Sequence, residues 1–283
     1  MIKLRNISYS YSANSSENTV ALKNINLEVN KGEFIGIAGH TGSGKTTVAQ
    51  ILAGLINPSD GEIIVNGESF SDYKSAARAL RSKVGIVFQY PEHQLFEETV
   101  YRDIAFGPKN KGLSEEEIDA CVRKSARLAN LKEELFEKSP FELSGGQKRR
   151  VAIAGVLATT PEFLILDEPA AGLDPSGRAR LLEELRRIRE TEGTTIILIS
   201  HSMEDLAENV DRIILLNDGE KIKDAPTSEV FKDSQTLEDS GLEIPEITKV
   251  IKLLNESGMK LPENIFTVED AADAIYKALE VEK

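Results

Sequence analysis

Cysteine is nearly missing from this chain: Cys121 is the only one in 283 residues. A lone cysteine forms no internal disulfide, which fits a reducing compartment. Inside a helical pattern it reads as a small packing residue. Positive charge is also short, with 34 Lys and Arg against 47 Asp and Glu, a formal net charge of −13. Non-specific nucleic-acid binding needs a basic footprint, so the balance argues against a nucleic-acid partner, though not against local basic patches. No apolar run approaches the ~18 residues of a membrane-spanning helix; the longest is Val151–Ala158. Met1–Asn6 carries no signal-peptide apolar region. No internal repeat or low-complexity segment is present. A role at a membrane would therefore run through a partner, with no direct insertion. What remains, 40% hydrophobic and 29% charged residues, is ordinary for a globular protein of one or two domains.

Against that background one stretch stands out, Gly39-His40-Thr41-Gly42-Ser43-Gly44-Lys45-Thr46. It fits G-x-x-x-x-G-K-[ST], a phosphate-binding loop. Glu33–Ala38 before it reads as a buried strand. Thr47–Gly54 after it has apolar residues at helical spacing and a glycine stop. Strand, glycine loop and helix are the context the motif requires. The glycines let backbone N–H groups converge on phosphate oxygens, and the helix N-terminus adds partial positive charge. Lys45 can reach the terminal phosphates and the Thr46 hydroxyl can ligate Mg²⁺. The nucleotide-contacting stretch is expected to extend to Thr47.

Elsewhere, residues 2–9 and Ile25–Val29 read as strands, with Ser12–Asn18 a polar loop between them. Pro58–Gly61 reads as a turn, Glu62–Val65 as a strand and Asn66-Gly67 as a hairpin turn. These pieces suggest an antiparallel sheet leaning on a nucleotide-binding core. Residues 72–81 form a short basic helix, and Val84–Phe88 a buried strand ending at Gln89. Strand signals then vanish, and about 91–160 reads as a helical insertion. Within it Ser114–Glu117 is a capping box. Strands return at Phe163–Leu166, Thr194–Ser200 and Arg212–Leu216, separated by a helix over 176–190. Alternating strands and helices imply a parallel sheet with right-handed crossovers. Residues 225–283 read as two or three helices. The last is capped at Thr267, with Val268, Ala271, Ala272, Ile275 and Leu279 along one face.

The strand Phe163–Leu166 ends in Asp167 and Glu168. Carboxylates at such a strand end sit beside the phosphate loop in α/β sheets. Asp167 is placed to hold Mg²⁺, and Glu168 to polarise an attacking water. Alone, an apolar run before Asp-Glu is a weak signal. Three further stretches strengthen it: Leu143-Ser144-Gly145-Gly146-Gln147 ahead of a helix over 148–158, Gly172-Leu173-Asp174-Pro175, and a strand ending in His201. With Gln89, these match in order and spacing the ATPase domain of ATP-binding-cassette (ABC) proteins. Roughly residues 1–235 resemble that family.

The resemblance implies a P-loop NTPase fold of the ABC ATPase type, in the α/β class. A mixed, largely parallel sheet core would carry an antiparallel β subdomain and a helical subdomain. It also implies ATP and Mg²⁺ as ligands. Tyr11 would stack on adenine, with Tyr9 the competitor in the same loop. Gln89 would contact Mg²⁺ and water and link the site to the helical insert. Asp174 would shape a dimer contact and His201 would bind the γ-phosphate. The His40 side chain reads as a variable loop position and His93 as a surface residue. Ser144, Gly145 and Gly146 open a helix and so present free N–H groups to an anion. In the family these, with Gln147, face ATP held by the other subunit. One chain then carries two half-sites, and dimerisation is part of the mechanism.

Gln89–Val100, Asp103–Asn110 and Leu143–Gly155 look like the ATPases of energy-coupling-factor transporters, most like the second of two paralogous subunits. That resemblance implies a dimer with an identical or paralogous ATPase subunit, a transmembrane coupling protein and a membrane substrate-binding subunit. It implies import of a vitamin or transition-metal ion, and a peripheral position on the cytoplasmic face of the cell membrane. Residues 236–283 correspond to a helical C-terminal extension. Glu92, Glu97, Glu98 and Asp103 crowd the segment after Gln89, and some are expected to receive arginines of the coupling protein. The alternative is a soluble ABC ATPase of DNA repair or translation. The interval from Lys45 to Ser144 is too short for the long coiled coils of repair proteins, and one cassette is present where translation factors carry two. A P-loop kinase would leave the signature Leu143–Gln147, Asp174 and His201 unexplained.

Overall fold

The computed structural model describes residues 1–12, 18–70, 72–262 and 264–281. The chain opens with β1 (Ile2–Ser12), β2 (Asn18–Val29) and β3 (Phe34–Ala38), followed by α1 (Lys45–Leu52). β4 (Asp60–Val65) and β5 (Glu68–Ser69) precede α2 (Tyr73–Arg81) and β6 (Val84–Val87). The helical stretch holds α3 (Val100–Asn110), α4 (Glu115–Leu128) and α5 (Gly145–Leu157). Next come β7 (Phe163–Asp167), α6 (Pro175–Glu192), β8 (Thr195–Ile199), α7 (Met203–Asn209), β9 (Arg212–Asn217) and β10 (Glu220–Pro226). α8 (Thr227–Lys232), α9 (Ser234–Asp239), α10 (Glu246–Glu256) and α11 (Val268–Val281) end it.

The strands form two sheets, ordered β2-β1-β4-β5 and β10-β9-β3-β8-β7-β6. The first is antiparallel. The second is parallel from β9 to β6, with β10 antiparallel at its edge. Its central strands are buried on both faces, as crossover helices require. Side chains alternate across the sheet. Phe34, Ala38, Leu164, Leu166, Ile196 and Leu198 join the core shared with the helical stretch. Ile35, Ile37, Phe163, Ile165, Ile197 and Ile199 join the core shared with α1 and the antiparallel sheet. The expected α/β architecture, with antiparallel and helical parts, is the one observed.

Local signals explain most boundaries. Asp72 caps α2 by accepting from Ser75 N–H at 2.9 Å. Ser114 and Glu117 form the expected capping box of α4. Three expectations are corrected. Asp60 and Gly61 lie inside β4 rather than in a turn, at the point where the pairing with β1 shifts register. There Gly61 has φ 104°, and a Cβ would lie 2.6 Å from the carbonyl oxygens of Arg5 and Asn6; glycine makes a bulge here, not a stop. β10 had no clean alternation to announce it; it exists because β9 offers an edge. Residues from 227 onward form four helices, not two or three. Of the polar loop Ser12–Asn18, both ends belong to strands, and positions 13–17 lie outside the described residues.

The tail is stitched to the body before it forms a core of its own. Leu237, Leu242 and Ile244 belong to the larger apolar cluster. A separate small cluster gathers Ile251, Leu261, Ile265 and Ala271, with Ala274, Ile275 and Ala278 packed on it. Thr267 caps α11 as expected, accepting from Asp270 N–H at 3.2 Å. The buried face of α11 is the expected one in part: Ala271 and Ile275 join the tail cluster. Val268 and Leu279 are exposed, as is Ala272, while Ala274 and Ala278 pack inward instead. Among the described residues no helix is long and apolar enough to cross a membrane.

Candidate functional site

Strand register assembles the site. Ile37 of β3 and Asp167 of β7 both pair with Ile199 of β8, and Val87 of β6 pairs with Leu166. The residues that follow each parallel strand therefore emerge along one edge of the sheet: the loop from Gly39, Glu168, His201 and Gln89. Ligands bind at such carboxyl ends of parallel strands. A cleft of about 960 Å³ opens there, lined by Gly39, His40, Thr41, Gly42, Lys45, Thr46, Gln89, Asp167, Glu168 and His201 among others.

The loop is shaped by close contacts. A Cβ on Gly39 would lie 2.3 Å from Leu216 O and 2.4 Å from Ser43 Oγ. Ser43 is fully buried and its hydroxyl has no hydrogen-bond partner among the described residues. Lys45 Nζ donates to Gly39 O at 2.7 Å and His40 O at 2.9 Å, so the ammonium lies over the loop. Burial lowers the Lys45 pKa below its ordinary value, with Glu168 and Asp167 pulling the other way. His40 Nδ1 lies 2.8 Å from Thr41 O, and its Nε2 lies 3.4 Å from Asp218.

Thr46 Oγ1 donates to Asp167 Oδ2 at 2.8 Å. Asp167 is 6% exposed, and burial raises its pKa against the opposing pull of Thr46 and Lys45. A buried carboxylate and a hydroxyl facing a polar cleft form the start of a hard-cation site. Among the described residues no cluster of three or more His, Cys, Asp or Glu is arranged to hold a metal. A cation at Thr46 and Asp167 would draw its remaining ligands from phosphate and water, as Mg²⁺ commonly does.

Glu168 carries φ 50°, a left-handed conformation that costs of order 1–3 kcal/mol for a non-glycine residue and clusters at active sites. Its Oε1 lies 2.9 Å from His201 Nδ1. The pair joins the ends of β7 and β8 directly beneath the loop. Gln89 is exposed at the cleft wall.

Other expected site residues lie outside this cleft. Tyr11 stands beside α1, its hydroxyl 3.2 Å from Thr47 Oγ1. Tyr9 packs on the buried cluster with its ring edge-to-face on Tyr11 at 4.8 Å. Of the two, Tyr11 is the more exposed aromatic beside the loop. Ser144 is the N-cap of α5 in a full capping box: its Oγ accepts from Gln147 N–H, and Gln147 Oε1 accepts from Ser144 N–H at 3.0 Å. Gly145, Gly146 and Gln147 are thus the first helical turn, not residues ahead of it, and open space surrounds both glycines. Asp174 caps α6, accepting from Gly177 N–H at 2.6 Å.

The acidic segment after Gln89 is mostly committed internally. Glu92 pairs with Arg149 at 3.0 Å. Asp103 accepts from Phe96 and Glu97 N–H, each at 3.0 Å. Glu98 pairs with Arg102. Glu92 and Asp103 are therefore withdrawn from the expected set of arginine acceptors: Glu92 is held by a distant arginine and Asp103 closes a turn. Sequence reading also missed Arg178 and the segment Gly241–Ile244, which line the cleft. Arg178 holds Asp205 of α7 at 2.6 Å. Its place one turn into α6 hinted only at a first-turn residue, and the 241–244 segment reaches the cleft through tertiary packing alone.

Residues 22–171 match the ABC transporter family model. The chain is 50% identical to the energy-coupling factor transporter ATP-binding protein EcfA2 of Clostridium perfringens, over 98% of each chain. It is 48% identical to EcfA2 of Caldanaerobacter subterraneus subsp. tengcongensis, over 98% of this chain and 97% of that one. Among solved structures, cbiO1 from Clostridium perfringens, part of the ABC transporter complex cbiONQ, superposes with a TM-score of 0.74 at 36% identity. The match covers 89% of this chain and 98% of that one. A dimeric ATP-binding cassette in a post-hydrolysis state, bound to ADP and Pi, superposes with a TM-score of 0.71 at 31% identity, covering 80% and 99%.

Proposed function

The chain belongs to the ABC transporter family, among the energy-coupling factor ATP-binding proteins, and from that premise we propose how its residues drive transport. It is an ATPase whose hydrolysis powers uptake through a separate membrane protein. The observation that carries the reading is the convergence of Lys45, Thr46, Asp167, Glu168 and His201 on one cleft, with Glu168 and His201 in contact.

In the proposed mechanism the phosphate loop wraps the β- and γ-phosphates with backbone N–H groups, and Lys45 turns from its own loop carbonyls to the phosphate oxygens. Thr46, Asp167 and Gln89 would hold Mg²⁺, which when bound would supply positive charge to the phosphate oxygens. Glu168 orients the attacking water and accepts its proton. His201 rests on the Glu168 carboxylate through Nδ1 and, when ATP binds, turns a ring N–H toward the γ-phosphate. Tyr11 stacks on the adenine. The helix N-terminus at Ser144–Gln147 completes the site of a second ATPase subunit, and Asp174 lies at that contact. ATP therefore joins two subunits and hydrolysis releases them.

The finer reading extends to partners. The subunit works on the cytoplasmic face of the cell membrane, with an identical or paralogous ATPase, a transmembrane coupling protein and a membrane substrate-binding subunit that takes a vitamin or transition-metal ion. It binds no nucleic acid. The test is affinity purification of tagged Glu168→Gln from detergent-solubilised host membranes with Mg-ATP, followed by mass spectrometry. Recovery of an ATPase and small polytopic membrane proteins supports the reading. Recovery of ribosomal or DNA-repair proteins instead overturns it.

A further inference from the structure

Arg149 lies in the second turn of α5, and only 5% of it is exposed. Its guanidinium makes four hydrogen bonds. Nε and one terminal nitrogen hold the two carboxylate oxygens of Glu92 at 3.2 and 3.0 Å. The terminal nitrogens also donate to Pro169 O at 3.0 Å and Ala171 O at 2.9 Å. An isolated charge at this depth costs several kcal/mol, and the paired carboxylate and two carbonyls are what make the position tenable.

Arg149 and its partners come from three separate segments. Arg149 belongs to the helix whose N-terminus is the signature. Glu92 sits in the 3-10 turn Pro91–Gln94, just past Gln89. Pro169 and Ala171 form the turn that Glu168 begins and that leads to Asp174. That turn is closed on its near side by Ala171 N–H donating to Glu168 O at 3.1 Å. On its far side the carbonyls point into the arginine fork. The left-handed Glu168 is a conformation that persists only where its surroundings over-determine it, and Arg149 is the side chain that holds the Pro169 and Ala171 carbonyls of the turn in place.

We propose that Arg149, braced by Glu92, is a positioning residue for hydrolysis: it locks the Glu168 turn to the signature helix and to the Gln89 segment, so that the three move as one body. The inference rests on the ATPase reading above. Arg149 touches no nucleotide; it acts through the backbone that aims Glu168. Lysine cannot replace it, because one ammonium lacks the planar fork that serves a carboxylate and two carbonyls together.

The experiment uses the full-length chain and its Arg149→Gln, Arg149→Lys and Glu92→Gln variants. ATP turnover is measured against ATP concentration, with fluorescent-ATP affinity and thermal melting on the same preparations. We expect kcat to fall ~10-fold or more in both Arg149 variants, because small misplacements of a catalytic group cost that much. KM and nucleotide affinity should stay within about threefold, and Glu92→Gln should fall less, by about threefold in kcat. A folded Arg149 variant, or Glu92→Gln, that turns over within about twofold of the parent overturns the proposal. Affinity falling in step with kcat also overturns it, because general loosening lowers both. If Arg149→Gln does not fold, Arg149→Lys and Glu92→Gln decide. A parent chain without ATPase activity would instead bring down the ATPase reading itself, whereas an active parent with active variants brings down the clamp alone.

Discussion

The two ends of the nucleotide machinery in this chain are built on opposite plans. At the carboxyl edge of the parallel sheet, charged groups converge on a cleft and restrain one another. Lys45 lies on its own loop carbonyls, Thr46 on Asp167, and His201 on Glu168. At the N-terminus of α5, Ser144 and Gln147 cap each other and the two glycines face open space. In the proposed mechanism the first end binds and polarises a phosphate by itself. The second leaves the N–H groups of Gly145 and Gly146 without a partner among the described residues, and a helix N-terminus is an anion site only when an anion is brought to it. Half of the chemistry is thus folded into the monomer and half is left to association.

Four substitutions test that division. Glu168→Gln strikes the self-contained end hardest. Turnover should fall ~10²–10⁴-fold, the usual contribution of a general base, while ATP binding persists and an ATP-bound dimer accumulates on size-exclusion chromatography. Normal turnover would remove Glu168 from its role. Lys45→Ala should weaken ATP binding by about 10–100-fold, the worth of a charge-assisted hydrogen bond, read by titration with a fluorescent analogue. Ser144→Ala probes the other end. Loss of the cap costs about 1 kcal/mol, read by melting; ATP affinity of the monomer should not change, while ATP-driven dimerisation weakens in sedimentation velocity. Equal loss of both affinities would erase the distinction between the ends.

Asp167→Asn should give the smallest change in stability and a revealing sign. Burial raises the Asp167 pKa in the folded state, so the ionised form present at neutral pH weighs against folding, and that penalty disappears as pH falls below the raised value. Without nucleotide, Asp167→Asn should therefore melt slightly higher than the parent at neutral pH, with the gain fading in acid. Mg²⁺-dependent turnover should be lost at the same time. A lower melting temperature at neutral pH would mean that Thr46 and Lys45 more than offset the burial.

Much of this was legible in the residues. The loop Gly39–Thr46, the strand ending at Asp167-Glu168 and the capping residues Ser114 and Thr267 each carry their structure in local chemistry. Local chemistry failed where a neighbour decides. Gly61 reads as a turn until β1 crosses it. β10 has no pattern of its own and exists as the partner of β9. Val268 and Leu279 look like part of the buried face of α11, yet they are exposed and Ala274 and Ala278 pack inward. Glu92 looks like a free surface acid until Arg149 reaches it from 57 residues away.

By itself the sequence determined the ABC ATPase fold and the residue types of the nucleotide site, because a phosphate loop needs glycines, a lysine and a hydroxyl at fixed spacing. Tertiary structure alone decided how those residues are held. The parallel register brings Gln89, Glu168 and His201 to one edge, the Arg149 fork spans three distant segments, and the tail segment Gly241–Ile244 arrives at the cleft wall. Hydrogen bonds and close packing act through space, and the contacts that aim a site join residues whose separation along the chain gives no sign of their meeting.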